Sequence, residues 1–162
     1  MTSRTVNGSI FITGAGGGIG TATARLFAAK GWQVGGCDLD TAAVASLNAA
    51  IGPEGFTPYV ADVRDRAAVA RAIDDFAARR GGKLDAVFAN AGVLFMAPDE
   101  QITPAQKDLQ VDVNVKCVLH TFDAALPHLR RAAPGAHMVA MASTSAEYGS
   151  PHHAVYSATK FF

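Results

Sequence analysis

Thr13-Gly14-Ala15-Gly16-Gly17-Gly18-Ile19-Gly20 decides how the rest of the chain is read. Ser9-Ile10-Phe11-Ile12-Thr13 reads as a buried strand, and Gly18 to Lys30 as a helix with Ile19, Ala22, Leu26 and Ala29 on one apolar face. The glycines therefore fall between a strand and a helix, in a first βαβ unit. Glycine lets the backbone turn tightly and come close to a pyrophosphate, and the helix N-terminus adds free N–H donors and a positive dipole end. By itself a glycine run marks only a tight turn; its placement here points to a dinucleotide. Gly14, Gly16, Gly18, Ile19 and Gly20 are the first candidates for holding one.

The same alternation continues. Gln33 to Asp38 is a second strand, and Thr41 to Ala50 a short helix with Val44 and Leu47 inward, capped by Thr41 or, more favourably, by Asp40. Thr57 to Val60 is a third strand, placed at a sheet edge by its proline. Asp65 caps a helix to about Arg80, with Val69, Ile73, Phe76 and Ala77 as its apolar stripe. Ala86 to Asn90 is a fourth strand. Thr103-Pro104 starts a long helical region to about Arg130, Ala136 to Ala142 is a fifth strand, and another helix begins near Tyr156. This order predicts a single α/β domain over residues 1–162. It is a Rossmann-like, doubly wound parallel sheet of five strands, with ligands outside the carboxyl ends of the strands.

Asp38 ends the second strand, eighteen residues after Gly20. That is about the spacing at which a carboxylate reaches the adenosine ribose hydroxyls. An acid there repels a 2′-phosphate, and neither Gly17 nor Leu39 brings a positive charge to attract one. The expected cofactor is NAD(H) rather than NADP(H), with Asp38 and Leu39 at its ribose.

Composition narrows the partners. Lys plus Arg and Asp plus Glu are both 14, so the net charge is zero and nothing favours nucleic acid or an anionic membrane. No apolar run approaches a membrane span, and Met1 to Gly8 is too polar for a signal peptide. Cys37 and Cys117 form no CxxC and read as two buried thiols of a cytoplasmic protein.

Six pieces now stand in register: the glycine turn, Asp62-Val63, Ala89-Asn90-Ala91-Gly92, Asn114, Ser143 and Tyr156-Ser157-Ala158-Thr159-Lys160. In order and spacing, including the thirteen residues from Ser143 to Tyr156, the chain resembles the short-chain dehydrogenase/reductase family in its compact one-domain form. The resemblance implies that Asp62 binds the adenine amino group and Val63 its ring edge. It implies that Asn90, Ala91 and Gly92 pass close under the cofactor, and that Asn114 holds a water linking Lys160 to solvent. It also implies a small-molecule alcohol or carbonyl substrate.

Residues four apart on a helix share a face, so Lys160 falls beside Tyr156. A cation there favours the phenolate. Tyr156 is then the expected general acid/base, Ser143 the hydrogen-bond partner of the substrate oxygen, and Lys160 a second contact to the nicotinamide ribose. Glu147, Tyr148, His152 and His153 fall at the substrate mouth. The adjacent histidines have no third ligand at useful spacing and are expected to be loop residues rather than a metal site.

Members of the family continue past the lysine with two further strands and a substrate-covering segment. They usually form homodimers or homotetramers through the long helix and the helix of the tyrosine. The expectation is an N-terminal part of a longer protein, its sheet edge bare after strand five, with weak or no turnover of its own. The alternatives are a nucleotide-binding module without turnover and, less favoured by the glycine spacing, a sugar-nucleotide epimerase or dehydratase.

Overall fold

The computed structural model describes residues 7–162, and the reading of Met1 to Gly8 as lacking a signal peptide falls largely outside that range. Five parallel strands form one sheet in the order β3-β2-β1-β4-β5. They are β1 (Ser9–Thr13), β2 (Gln33–Asp38), β3 (Phe56–Val60), β4 (Ala86–Ala89) and β5 (His137–Ala140). Strand β1 pairs with both β2 and β4, Phe11 lying opposite Gly35 on one side and Val87 on the other. The chain order therefore reverses between β1 and β4, and a crevice opens at their carboxyl ends. Pro58 lies in β3 at one edge of the sheet, as expected of a residue with no N–H to donate. At the other edge β5 is exposed along its length, with Met138 at 42% and Val139 at 47%.

Helices cover both faces. On one, α1 (Gly18–Ala29) and α2 (Thr41–Ile51) pack Ala24, Ala28, Val44 and Leu47 onto Ile10, Ile12, Val34 and Phe56. On the other, α3 (Arg66–Ala78) and α5 (Cys117–Ala132) pack Val69, Ile73, Phe76 and Leu129 onto Phe11, Cys37 and Val87. The stripe expected for α3 is buried as read. The face expected for α1 is not: Ile19, Ala22, Leu26 and Ala29 are all exposed, and Gly20, Ala24 and Ala28 face the sheet. At its start α1 lies so close to the glycine turn that a Cβ at position 20 would fall 2.1 Å from the Gly14 carbonyl oxygen.

Local chemistry sets the helix starts. Asp40, not Thr41, caps α2, accepting from the backbone N–H of Ala42 and Ala43 at 2.9 and 3.0 Å. Asp65 caps α3 in the same way through Ala67 and Ala68. Thr103 and Gln106 form a reciprocal capping box at α4 (Pro104–Val111). The long helical region expected from there is interrupted by a π turn at Asp112–Lys116 before α5 begins. A final helix, α6 (Ala154–Phe161), carries Tyr156 and Lys160 and buries Ser157 and Thr159. Phe161 and Phe162 remain exposed. Both cysteines are free and buried.

Candidate active site

The site starts where β1 and β4 end together. Thr13 Oγ1 accepts from the backbone N–H of Asn90 at 3.1 Å and of Ala91 at 3.3 Å. Asn90 Nδ2 donates to the carbonyls of Thr13 at 2.9 Å and Gly14 at 3.1 Å. These four bonds tie the glycine turn to the Asn90-Ala91-Gly92 segment. The approach is so close that a side chain would collide. Gly14 has φ +67°, and a Cβ on it would lie 2.8 Å from Ala91 Cα; a Cβ on Gly20 would lie 2.1 Å from the Gly14 carbonyl oxygen.

Asp38 is fixed against the turn. One of its oxygens accepts from the Gly16 N–H at 2.9 Å and the other from the Asp40 N–H at 3.0 Å. Since Asp40 caps α2, Asp38 stays beside the crevice, as its spacing suggested.

A cleft of about 570 Å³ opens over these residues. It is lined by Gly14, Gly18, Ile19, Gly20, Asp38, Leu39, Asp62, Val63, Asn90, Ala91 and Gly92, all expected from the sequence. Gly16, Tyr156 and Lys160 do not line it, Gly16 being turned against Asp38. The sequence reading missed Arg64, Leu109 and Val113, which line it together with Gly17, Ala61 and Val93. Arg64 donates through Nε and its terminal nitrogen to both oxygens of Asp62 and holds that carboxyl below the usual range.

The helix N-terminus at the cleft differs from its neighbours. The starts of α2, α3 and α4 each carry a side-chain cap, whereas Gly17 leaves the first turn of α1 with none, as His153 does that of α6. The N–H groups of that turn are the orphan donors to which anions bind.

Deeper in, Asn114 lies in the π turn, 3% exposed. Its Oδ1 accepts from the Val93 N–H at 2.8 Å, and its Nδ2 donates to the Val93 carbonyl at 2.9 Å and to Thr159 Oγ1 at 3.0 Å. Thr159 in turn donates to the Tyr156 carbonyl at 2.7 Å. Lys160 Nζ donates to the Met141 carbonyl at 2.8 Å and stands 5.8 Å from the centre of the Tyr156 ring. Burial lowers the Lys160 pKa from its ordinary value. Ser143, just after β5, accepts from the Ser145 N–H at 3.2 Å and opens the short turn Thr144–Ala146, so its own proton is left to donate. The ring of His153 lies 6.2 Å from that of Tyr156. No group of three or more His, Cys, Asp or Glu side chains suited to a metal occurs among the described residues. Among them, too, no helix is long and apolar enough to cross a membrane.

A parallel sheet with a glycine turn at its switch point, and a tyrosine–lysine helix beyond it, defines a class of protein that comparison identifies. The family model for short chain dehydrogenases matches residues 9–162, and the chain belongs to that family. It is 32% identical over 152 residues to D-threitol dehydrogenase of Mycolicibacterium smegmatis, covering 93% of this chain and 58% of that protein. It is 33% identical over 160 residues to galactitol 2-dehydrogenase of Agrobacterium fabrum, covering 97% and 60%. The fold matches 3-ketoacyl-(acyl-carrier-protein) reductase from Brucella melitensis, complexed with NADH, at a TM-score of 0.89 and 31% identity, covering 96% of this chain and 65% of that one. The chain thus spans less than two thirds of the length of these proteins.

Proposed function

We propose that the chain forms the dinucleotide-binding and proton-transfer part of an NAD(H)-dependent oxidoreductase acting on an alcohol or ketone. The observation that carries this is the uncapped start of α1, opening on the cleft beside Asp38. The residues fit the cofactor. The cleft has the volume of a small-molecule site, and nothing stands within 4 Å of where a side chain on Gly18 would be. Asp38 places a carboxylate where ribose hydroxyls can donate to it and a 2′-phosphate would be repelled.

Bound there, the nicotinamide would take or give the hydride. The chain's own residues handle the proton. Tyr156 is the acid/base, taking the proton of an alcohol or returning it to a carbonyl. Ser143 donates to the same substrate oxygen and fixes its position. Lys160 sets a cation over the Tyr156 ring and contacts the ribose. Because both Nδ2 protons of Asn114 are engaged by Val93 and Thr159, a water linking Lys160 to solvent through this side chain would donate to Oδ1, which has accepted only from Val93. Galactitol 2-dehydrogenase and D-threitol dehydrogenase, both named for polyol substrates, make a hydroxylated substrate the first to try.

Calorimetry with NADH and NADPH, beside an activity screen, tests the reading. Tighter binding of NADH with turnover of an alcohol supports it. Tighter binding of NADPH would overturn the role given to Asp38. Since weak or no turnover is expected of residues 1–162 themselves, dinucleotide binding with no turnover by a form carrying the family's further strands would favour the nucleotide-binding module instead.

A further inference from the structure

Arg64 was not expected at the site, yet it organises one end of the cleft. Asp62 Oδ1 accepts from the Arg64 backbone N–H at 2.9 Å and from its Nε at 3.0 Å. Oδ2 accepts from the same Nε at 2.9 Å and from Nη2 at 2.5 Å. An ionised carboxylate offers about four acceptor positions. The three N–H groups of this single residue make four contacts, two on each oxygen, because the Nε–H is shared between them, and the two-point guanidinium contact fixes the plane of the carboxylate. One Nε–H cannot fill two positions fully, so roughly one acceptor position is open to a further donor. Leu39, Val63, Leu109 and Val113 line the same cleft and offer apolar walls for a flat ring. A carboxylate with a single free position, at the edge of an apolar slot, suits a ring with an exocyclic amine and not one with an exocyclic carbonyl.

We propose that Arg64 is a positioning residue for base selection: its fork orients the Asp62 carboxylate so that one acceptor is presented to an amine of the bound base. The proposal rests on the dinucleotide reading above. It is distinct from simple charge pairing, because lysine keeps the charge but not the planar fork. It also runs against the opposite possibility, that Arg64 merely occupies Asp62 and competes with the ligand.

The test is calorimetry on the full chain with NADH and with reduced nicotinamide hypoxanthine dinucleotide, in which a carbonyl replaces the adenine amine. Wild type is expected to prefer NADH by about tenfold, the scale of one hydrogen bond to a charged acceptor. Arg64→Lys and Arg64→Gln are each expected to remove most of that preference by weakening NADH alone, leaving the hypoxanthine analogue within about twofold of wild type. Equal weakening of both ligands, an unchanged preference, or tighter NADH binding by either variant would overturn the proposal. So would a wild type that binds both dinucleotides alike, with the cofactor reading still standing. If wild type binds neither, the cofactor reading fails and takes this one with it.

Discussion

Asn114 and Thr159 are joined by a hydrogen bond of 3.0 Å, the amide nitrogen donating to the threonine hydroxyl. The bond couples the π turn to the helix of Tyr156 and Lys160. The same amide brackets Val93 on both its backbone groups. One buried side chain thus holds the segment after β4 and the tyrosine helix in a fixed relation.

Asn114→Leu removes three hydrogen bonds and strands the Val93 N–H and carbonyl. A loss of about 3 kcal/mol in urea unfolding is expected, against about 1 kcal/mol for Thr159→Val. Equal losses in the two variants would show that Val93 finds other partners.

Two glycines of the turn should respond oppositely to alanine. Gly20→Ala forces a Cβ onto the Gly14 carbonyl, whereas a Cβ on Gly18 meets open space. Gly20→Ala is expected to lower the melting temperature and abolish dinucleotide binding. Gly18→Ala, at a helix start, should leave stability unchanged or slightly raised. A Gly20→Ala protein as stable as wild type would mean that α1 can move away from the turn.

Tyr59 donates to Asp75 Oδ2 at 2.6 Å, and burial, followed by that carboxylate, raises its pKa above the ordinary phenol value. The folded state then keeps a proton that the unfolded state has lost. Tyr59's contribution to stability is complete below about pH 10 and fades as pH rises through the folded value. Tyr59→Phe should therefore flatten the alkaline fall in stability and remove one ionisation step from the phenolate absorbance titration. An unchanged alkaline profile would count against the Asp75 bond.

Burial pushes the thiols of Cys37 and Cys117 up to about 12. Neither is expected to react with a disulfide reagent at pH 8 in the folded protein, and both should react on unfolding. Rapid labelling of either in the native state would show that the core opens locally.

Much of this was legible in the sequence because it depends on short-range rules. The glycine turn, the Asp65 cap and the edge position of β3 each follow from a few adjacent residues. The position of Asp38 beside the cleft was legible by spacing, and Asp40 as the cap explains why Asp38 is not drawn into capping α2. The failures have separate causes. The inward face of α1 was misread because bulky apolar residues usually turn inward, whereas here Gly20 is pressed against the Gly14 carbonyl and its face of the helix, with Ala24 and Ala28, meets the sheet. The π turn moves the apolar pattern by only one residue, too small a shift to stand out in a long helical stretch. Lys160 was placed near Tyr156 by the helical repeat, but its partner Met141 lies across the fold, nineteen residues away. Arg64, two residues after Asp62, had a local signal that went unused: an aspartate often accepts from the N–H two residues on.

The π turn also sets a phase. It accommodates one residue more than an α turn, and each helical residue advances the side-chain direction by about 100°. Upstream of it, α4 faces α6; downstream, α5 faces α3 and β4. The extra residue lets one continuous helix address two different walls. Deleting Val115 would leave α4 seated but swing Cys117, Thr121, Ala125 and Leu129 off the sheet together. Surface loops in general absorb changes of length, but here registration is counted in single residues.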